Sequence, residues 1–582
     1  MSNRIVLTLI DTMQIQRYIF SSNRLREMVG ASALLKKVTE DWLIEILYEQ
    51  FGIPVPADDT LEVLKEQNPI EGNTDTPFEI IYCGGGNAKI LFKGNSEEEA
   101  LKKAKGVIKP WSRKVLDKAP GLQVAVLHLP VKDEDQKEFN KFIEAAEAEL
   151  ARKKANFAAN LAELSPPFVV RCPSTGLPAS KHDEKNQLSI RDKNNQRISE
   201  QAYVKRKAAD DSFKRWLEKN GKWLLFLNKE KAAFPQNLDE LGQKEGNNFI
   251  GIIHADGNFM GKKVMAIANK HARMRDYIDK IREFSIKLEE SNRQAFTNVL
   301  SWVDENYSEW TKTLLKLSEI EDGKYKGLKA FPIRPIILGG DDFTAVTAGP
   351  IALQVAKKFM EEFKKACDTW CGGFELEQIT ASGGVALVHS HMPFDKAYEM
   401  AESLAASAKK KERKKQEKEA DRKEASWLDW HIATDNHLDE IGDLRAEKYT
   451  RKINGKTILL TCKPYRLDEK ETNEPFWDSL VNSVRLFQDK EKFPRNKLKS
   501  LLNIAGEGPE AARDALREMK YHLKVNQFEN LEKELRAHHK AEEAELFFEK
   551  SDANGETKYC TAIFDIVESL EFIVPEKANG GK

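Results

Sequence analysis

Residues Arg334–Ala348 read "RPIILGGDDFTAVTA". An apolar run halts at two glycines and two aspartates, then resumes, which is the pattern of two strands joined by a tight turn. Two adjacent carboxylates at a hairpin tip admit two readings. One is a Gly-Asp turn and nothing more; the other is a metal site for phosphate chemistry.

The flanking sequence sets this hairpin in a larger unit. Upstream, "NFIGIIHADG" reads as a strand ending at Asp256, followed by a helical region from about Lys262 to Glu305. Downstream, "PIALQVAKKFMEEFKKACDTW" reads as a helix with Pro350 in its first turn, and "ITASGGVALV" as a closing strand. The same order of strand, helix, hairpin, helix, strand occurs at the N-terminus. There "RIVLTLIDT" ends near Asp11, and "FEIIYCGGGNAKILF" places Gly84-Gly85-Gly86-Asn87 at the tip. A helix and the strand "LQVAVLHLP" complete the first copy. This order is the ferredoxin-like arrangement, used by polymerase and nucleotide-cyclase palms.

In the second copy, Asp256 ends the strand that neighbours the hairpin carrying Asp341 and Asp342. Three crowded carboxylates stay ionised only beside cations. Mg2+ or Mn2+ takes such oxygen ligands together with triphosphate oxygens. Two such ions about 4 Å apart would activate a ribose hydroxyl and stabilise leaving pyrophosphate. Gly339 and Gly340 let backbone and nucleotide approach closely. Gly257, Asn258, Gly261 and Lys262 lie on the way into a helix, where free N–H groups suit a triphosphate. Lys409 and Lys410, at the end of "FDKAYEMAESLAASAKK", either reach phosphates or place favourable charge at a helix C-terminus. The first copy lacks the carboxylate pair, so it either holds a nucleotide as acceptor or only packs against its partner.

At 582 residues the chain exceeds one core, so three or four domains are expected. We place them at 1–135 (first palm), 136–245 (helical and loop-like link), 246–465 (second palm) and 466–582 (helical). With 92 basic and 93 acidic residues, no global field draws the chain to nucleic acid or membrane. The six cysteines follow no disulfide or zinc spacing, so Cys367 and Cys371 read as two partly buried thiols in one helix. No apolar run reaches the ~20 residues that span a bilayer, which with the absent signal pattern predicts a cytoplasmic protein. The stretch Lys409–Glu424 mixes nine basic with five acidic residues and reads as a solvated helix rather than an RNA-contacting patch.

Four stretches together resemble the large subunit of type III CRISPR effector complexes. They are "DTMQIQRYIFSSNRLREMVGASALL", "IIHADGNFMGKK", "LGGDDF" and "HSHMPFDKAYEMAESLAASAKK". The resemblance implies an α+β fold of two ferredoxin-like palm domains facing each other, a helical insert between them and a helical C-terminal domain. It implies that ATP is joined 3′ to 5′ into a cyclic oligoadenylate-type signal for antiviral defence, with guide and target RNA and other CRISPR effector subunits as partners. Asp341 and Asp342 would be the metal ligands with Asp256 assisting, and Gly30, Ala31 and Ser32, at a helix start, would lie near the first palm's nucleotide. Such subunits commonly carry an HD nuclease domain. Here the only His-Asp pair is His182-Asp183 in a polar loop, so DNA cleavage is not expected. The zinc segment is reduced to Cys172, so zinc is not expected either. Two alternatives remain: a palm scaffold that binds RNA or protein without catalysis, and a GGDEF-like cyclase using GTP.

Overall fold

The computed structural model describes residues 4–56, 59–71, 76–156, 168–179, 197–219, 232–242, 248–320, 326–419, 422–433, 440–468, 474–539, 545–551 and 557–575. His182-Asp183 lies outside them.

The first palm forms a four-stranded sheet from β1 (Arg4–Met13), β2 (Phe78–Gly84), β3 (Asn87–Gly94) and β4 (Gln123–Val131). The spatial order is β2-β3-β1-β4, with all pairs antiparallel. The apolar run of β1 is buried on both faces. It packs against α4 (Glu97–Lys118) and α5 (Phe139–Ala155). Between β1 and β2 lie α1 (Ile15–Phe20), α2 (Leu25–Lys36) and α3 (Trp42–Gln50).

The second palm repeats the order. Its strands are β5 (Phe249–Gly257), β6 (Ile333–Gly339), β7 (Asp342–Ala348) and β8 (Ala381–His389), arranged β6-β7-β5-β8. The region from Lys262 to Glu305 is two helices, α7 (Met260–Lys270) and the 40-residue α8 (Met274–Thr313). The unit closes with α9 (Ala352–Asp368), β8 and α10 (Phe394–Lys418). The sheet then extends by β9 (Trp427–Ile432), parallel to β8, and a two-residue strand at Tyr465–Arg466. The α+β architecture of two palms is therefore the observed one.

Several local expectations need correction. Gly30, Ala31 and Ser32 sit inside α2, not at its start, because the helix begins at Leu25. Gly30 serves close helix packing: a Cβ there would collide with the Lys205 carbonyl of α6 (Glu200–Lys219). Lys409 and Lys410 are not at a helix end, since α10 continues to Lys418. That stretch is not wholly solvated either. Glu412 is fully buried and accepts the Trp427 indole N–H and the Ala425 N–H. Cys367 is buried in α9 and Cys371 is buried just beyond it. Lys456–Leu459 does not join the second palm. It pairs with Thr450–Ile453 and with Thr557–Cys560 in a separate small sheet, so the mainly helical C-terminal region also contributes strands.

The palms are clamped through α8. Glu79 on β2 is fully buried and receives Arg275 at 2.7 Å and Arg282 at 2.5 Å. Burial alone would raise the Glu79 carboxyl, but the two guanidinium groups outweigh it and hold it below the usual range. Removing one partner strands buried charge. Glu79→Ala is expected to cost roughly 3–5 kcal/mol in urea unfolding. Lys118→Ala, at an exposed pair, should leave the urea midpoint nearly unchanged.

Candidate active site

The hairpin tips of the two palms differ in both residue and backbone conformation. In the second palm the turn is Gly340–Asp341, closed by the Gly339–Asp342 pair, with Gly340 at φ 60. In the first it is Gly85–Gly86, closed by Gly84–Asn87, with φ 58 and 89. Asp341 thus corresponds to Gly86, and Asp342 to Asn87.

Asp341 reaches back over the end of β5. A Cβ on Gly257 would approach its side chain within 2.8–2.9 Å, so glycine is required there for Asp341 to keep its place. Asp256 lies beside Asp341, and burial first, then the Asp256 charge, push the Asp341 carboxyl up to about 7. Asp342 turns elsewhere. Its Oδ1 lies 3.5 Å from His254 Nδ1 and is buried without a hydrogen-bond partner. Burial and the charges of Asp256 and Asp341 push this carboxyl well up, although the side chain keeps 39% of its surface exposed. Among the described residues, no three acidic, histidine or cysteine side chains stand together as a metal cage.

Lys409 pairs with Asp256, so a helix that follows the palm supplies the neutralising charge. The first palm repeats this with Lys154 of α5 and Asp11. Lys410 is exposed one residue further on. Asn258 is occupied by structure. It donates to Thr380 Oγ1 and the Ala425 carbonyl and accepts from Ser382 Oγ, which leaves no face for a ligand. Gly261 and Lys262 are exposed in the first turn of α7, whose N-terminus has no side-chain cap. Gly30 and Ala31 are buried against α6, and Ser32 is half-buried beside them.

A cavity of about 460 Å³ joins the two tips. Gly84, Gly85 and Asn87 line it from one palm and Gly340 and Asp341 from the other, over a floor that includes Leu61, Phe284 and Leu288. This volume falls in the range of small-molecule sites. Its walls include residues that the repeat pattern does not expose: Glu40, Tyr82, Glu289 and Arg293. Glu289, Asn292 and Arg293 were legible only as polar positions three and four apart in an otherwise amphipathic helix. On the opposite side, Gln16 of α1 donates to Glu402 of α10 at 2.7 Å.

Fold and site together define a double-palm protein with its acidic tip in the second copy. Residues 249–418 match the family model described as Cas10/Cmr2, second palm domain, so this palm is of the Cas10/Cmr2 kind, that of the type III CRISPR large subunit. Among solved structures, a Csm1–Csm4 cassette in complex with cA4 is 12% identical, with a TM-score of 0.46 over 90% of this chain and 65% of that one. A cassette with AMPPNP is 13% identical, at 0.39 over 70% and 53%. Csm1 from T. onnurineus is 15% identical, at 0.38 over 70% and 52%. The chain thus spans 65% or less of the length of these three. No curated protein matches it. Among the described residues, no helix is long and apolar enough to cross a membrane.

Burial pushes the Glu40 carboxyl up to about 7, against the pull of Lys36 at 3.7 Å. Its folded pKa thus exceeds its unfolded value, so stability is full below the unfolded pKa and is lost as pH rises toward about 7. The loss is at most roughly 3 kcal/mol, at ~1.4 kcal/mol per unit. Glu40→Gln should therefore melt higher than the unchanged chain at about pH 8 by more than it does at about pH 5. Parallel melting curves would contradict the shift.

Proposed function

We propose that the chain is a nucleotidyltransferase that makes a cyclic 3′–5′ oligoadenylate-type second messenger from ATP, as the large subunit of a type III CRISPR effector. The observation that carries this reading is the meeting of Asp341 with Asp256 beside a cavity that the first palm's hairpin closes. The Cas10/Cmr2 match over the same palm supports the nucleotide class. In the reaction, the 3′-oxygen of one ATP bonds to the α-phosphorus of another. The α–β phosphoanhydride breaks, pyrophosphate leaves and the hydroxyl proton passes to solvent.

The donor chemistry fits a hard divalent cation. Asp256 and Asp341 offer carboxylate oxygens, and two carboxylates plus substrate phosphates are what Mg2+ commonly takes. Such an ion would supply charge stabilisation at the α-phosphate and leaving group. Asp342, turned toward His254, would stand behind this pair rather than complete a third ligand. Lys409 would exchange Asp256 for a phosphate as the nucleotide enters. Gly339 and Gly340 leave room for the triphosphate along the tip, and the uncapped first turn of α7 offers N–H groups to it. The glycine hairpin of the first palm would hold the acceptor nucleotide. RNA and neighbouring effector subunits would set when the chain acts.

Incubation of the full chain with labelled ATP or GTP and Mg2+ or Mn2+, with and without target RNA, tests this. Oligoadenylate should form from ATP. Product from GTP alone would favour the GGDEF-like reading, and no product under any condition would favour the scaffold. Asp341→Ala with Asp342→Ala should lower turnover by on the order of 10²-fold or more. Gly257→Ala, which crowds Asp341, should lower kcat by roughly tenfold while the chain stays folded.

A further inference from the structure

We infer that Glu289, Asn292 and Arg293 of α8 are positioning residues that set the Gly339–Asp342 tip relative to the first palm. The inference rests on the catalytic reading of that tip.

Positions 289, 292 and 293 share one helix face. Glu289 Oε2 accepts the Gly340 N–H at 2.7 Å. Asn292 Nδ2 donates to the carbonyls of both Gly340 and Asp342, each at 3.0 Å. The backbone groups on either side of Asp341 are thus held by side chains of a single helix. The turn does not need these bonds to form, because the Gly339–Asp342 pair already closes it. They fix where the tip lies.

Arg293 carries the chain of contacts across to the other palm. Its Nε donates to Glu289 Oε1 at 2.9 Å, and its terminal nitrogen reaches both Asp59 oxygens at 3.3 and 3.4 Å. Asp59 caps the short helix Thr60–Lys65 by accepting the Leu61 N–H. Beside it, Lys65 pairs with Glu290 at 2.8 Å. A continuous path therefore runs Asp59–Arg293–Glu289–Gly340, from a helix cap in the first palm to the acidic tip in the second. A reacting group displaced by about 1 Å can lose on the order of 10² in rate, so a fixed path of this kind has kinetic weight.

The test uses the full chain and two readouts. In amide hydrogen exchange, Glu289→Leu and Asp59→Ala, each of which removes the accepting oxygens, should each speed exchange of the peptide containing Gly340 by roughly tenfold. Glu289→Gln, which keeps an accepting oxygen, should retain most of the protection. In turnover with ATP and Mg2+, Glu289→Leu and Asp59→Ala should lower kcat by about tenfold with little change in KM, and Glu289→Gln should restore most of it. Asp59→Ala matters most, because it alters the other palm and touches nothing at the tip. Should Glu289→Leu fail to fold, Asp59→Ala decides alone. If the unchanged chain makes no product, the catalytic reading fails, and exchange at Gly340 still decides the positioning. Exchange at Gly340 in Asp59→Ala equal to that of the unchanged chain would overturn the inference.

Discussion

The end of each palm's first strand and the tip of its hairpin leave room for one side chain. In the second palm Gly257 yields the space and Asp341 occupies it. In the first, Thr12 occupies it, donates to the Gly86 carbonyl, and would collide with any Cβ at position 86. The strand registers are otherwise alike. Asp11 faces Asn87 in one sheet, and Ala255 faces Phe343 in the other, which sets Asp256 beside Asp342. Side-chain volume at one point, not a difference in fold, decides which palm carries the acid. The turns follow suit. Two consecutive residues at positive φ demand the Gly85–Gly86 pair, whereas a turn with only Gly340 at positive φ admits an aspartate next to it.

Crowding acids at that point has an electrostatic cost that the surrounding helices only partly offset. The charge of Asp256 disfavours ionisation of both Asp341 and Asp342, and Asp341 disfavours that of Asp342. Lys409 compensates Asp256. In the first palm the balance is simpler, with Asp11 against Lys154. Each palm thus recruits a lysine from the helix that follows it, so the repeated unit is longer than the sheet and its two covering helices. Adding a triphosphate beside the three acids would deepen the imbalance, which is the physical reason to expect divalent cations there.

The doubled palm and its hairpins were readable because strand order, apolar runs and glycine tips are local in sequence. Convergence of Asp256 with Asp341 was readable from topology, since the first strand must neighbour the hairpin. That adjacent aspartates need not play equal roles was readable, because neighbours in a strand face opposite ways; that Asp342 turns to His254 was not, because that contact joins two strands distant in the chain. Gly30 and Asn258 misled for a shared reason. Glycine and asparagine suit both ligand loops and crowded packing, and only the neighbours in space, Lys205 for one and Thr380 with Ser382 for the other, separate these uses. The small C-terminal sheet was hidden because it pairs strands far apart in the chain, around 456 and 557, each only four residues long.

A hairpin turn specifies its own path but not its position in the molecule. That position comes from α8, which at 40 residues and ~1.5 Å per residue extends well beyond the sheet it covers. Near its start, Arg275 and Arg282 fasten it to Glu79 on the first palm's hairpin strand. Near its middle, Glu289 and Asn292 hold the second palm's tip. One rigid element therefore spaces the glycine hairpin of one palm against the acidic hairpin of the other. The cavity between the tips takes its width from the helix rather than from either sheet.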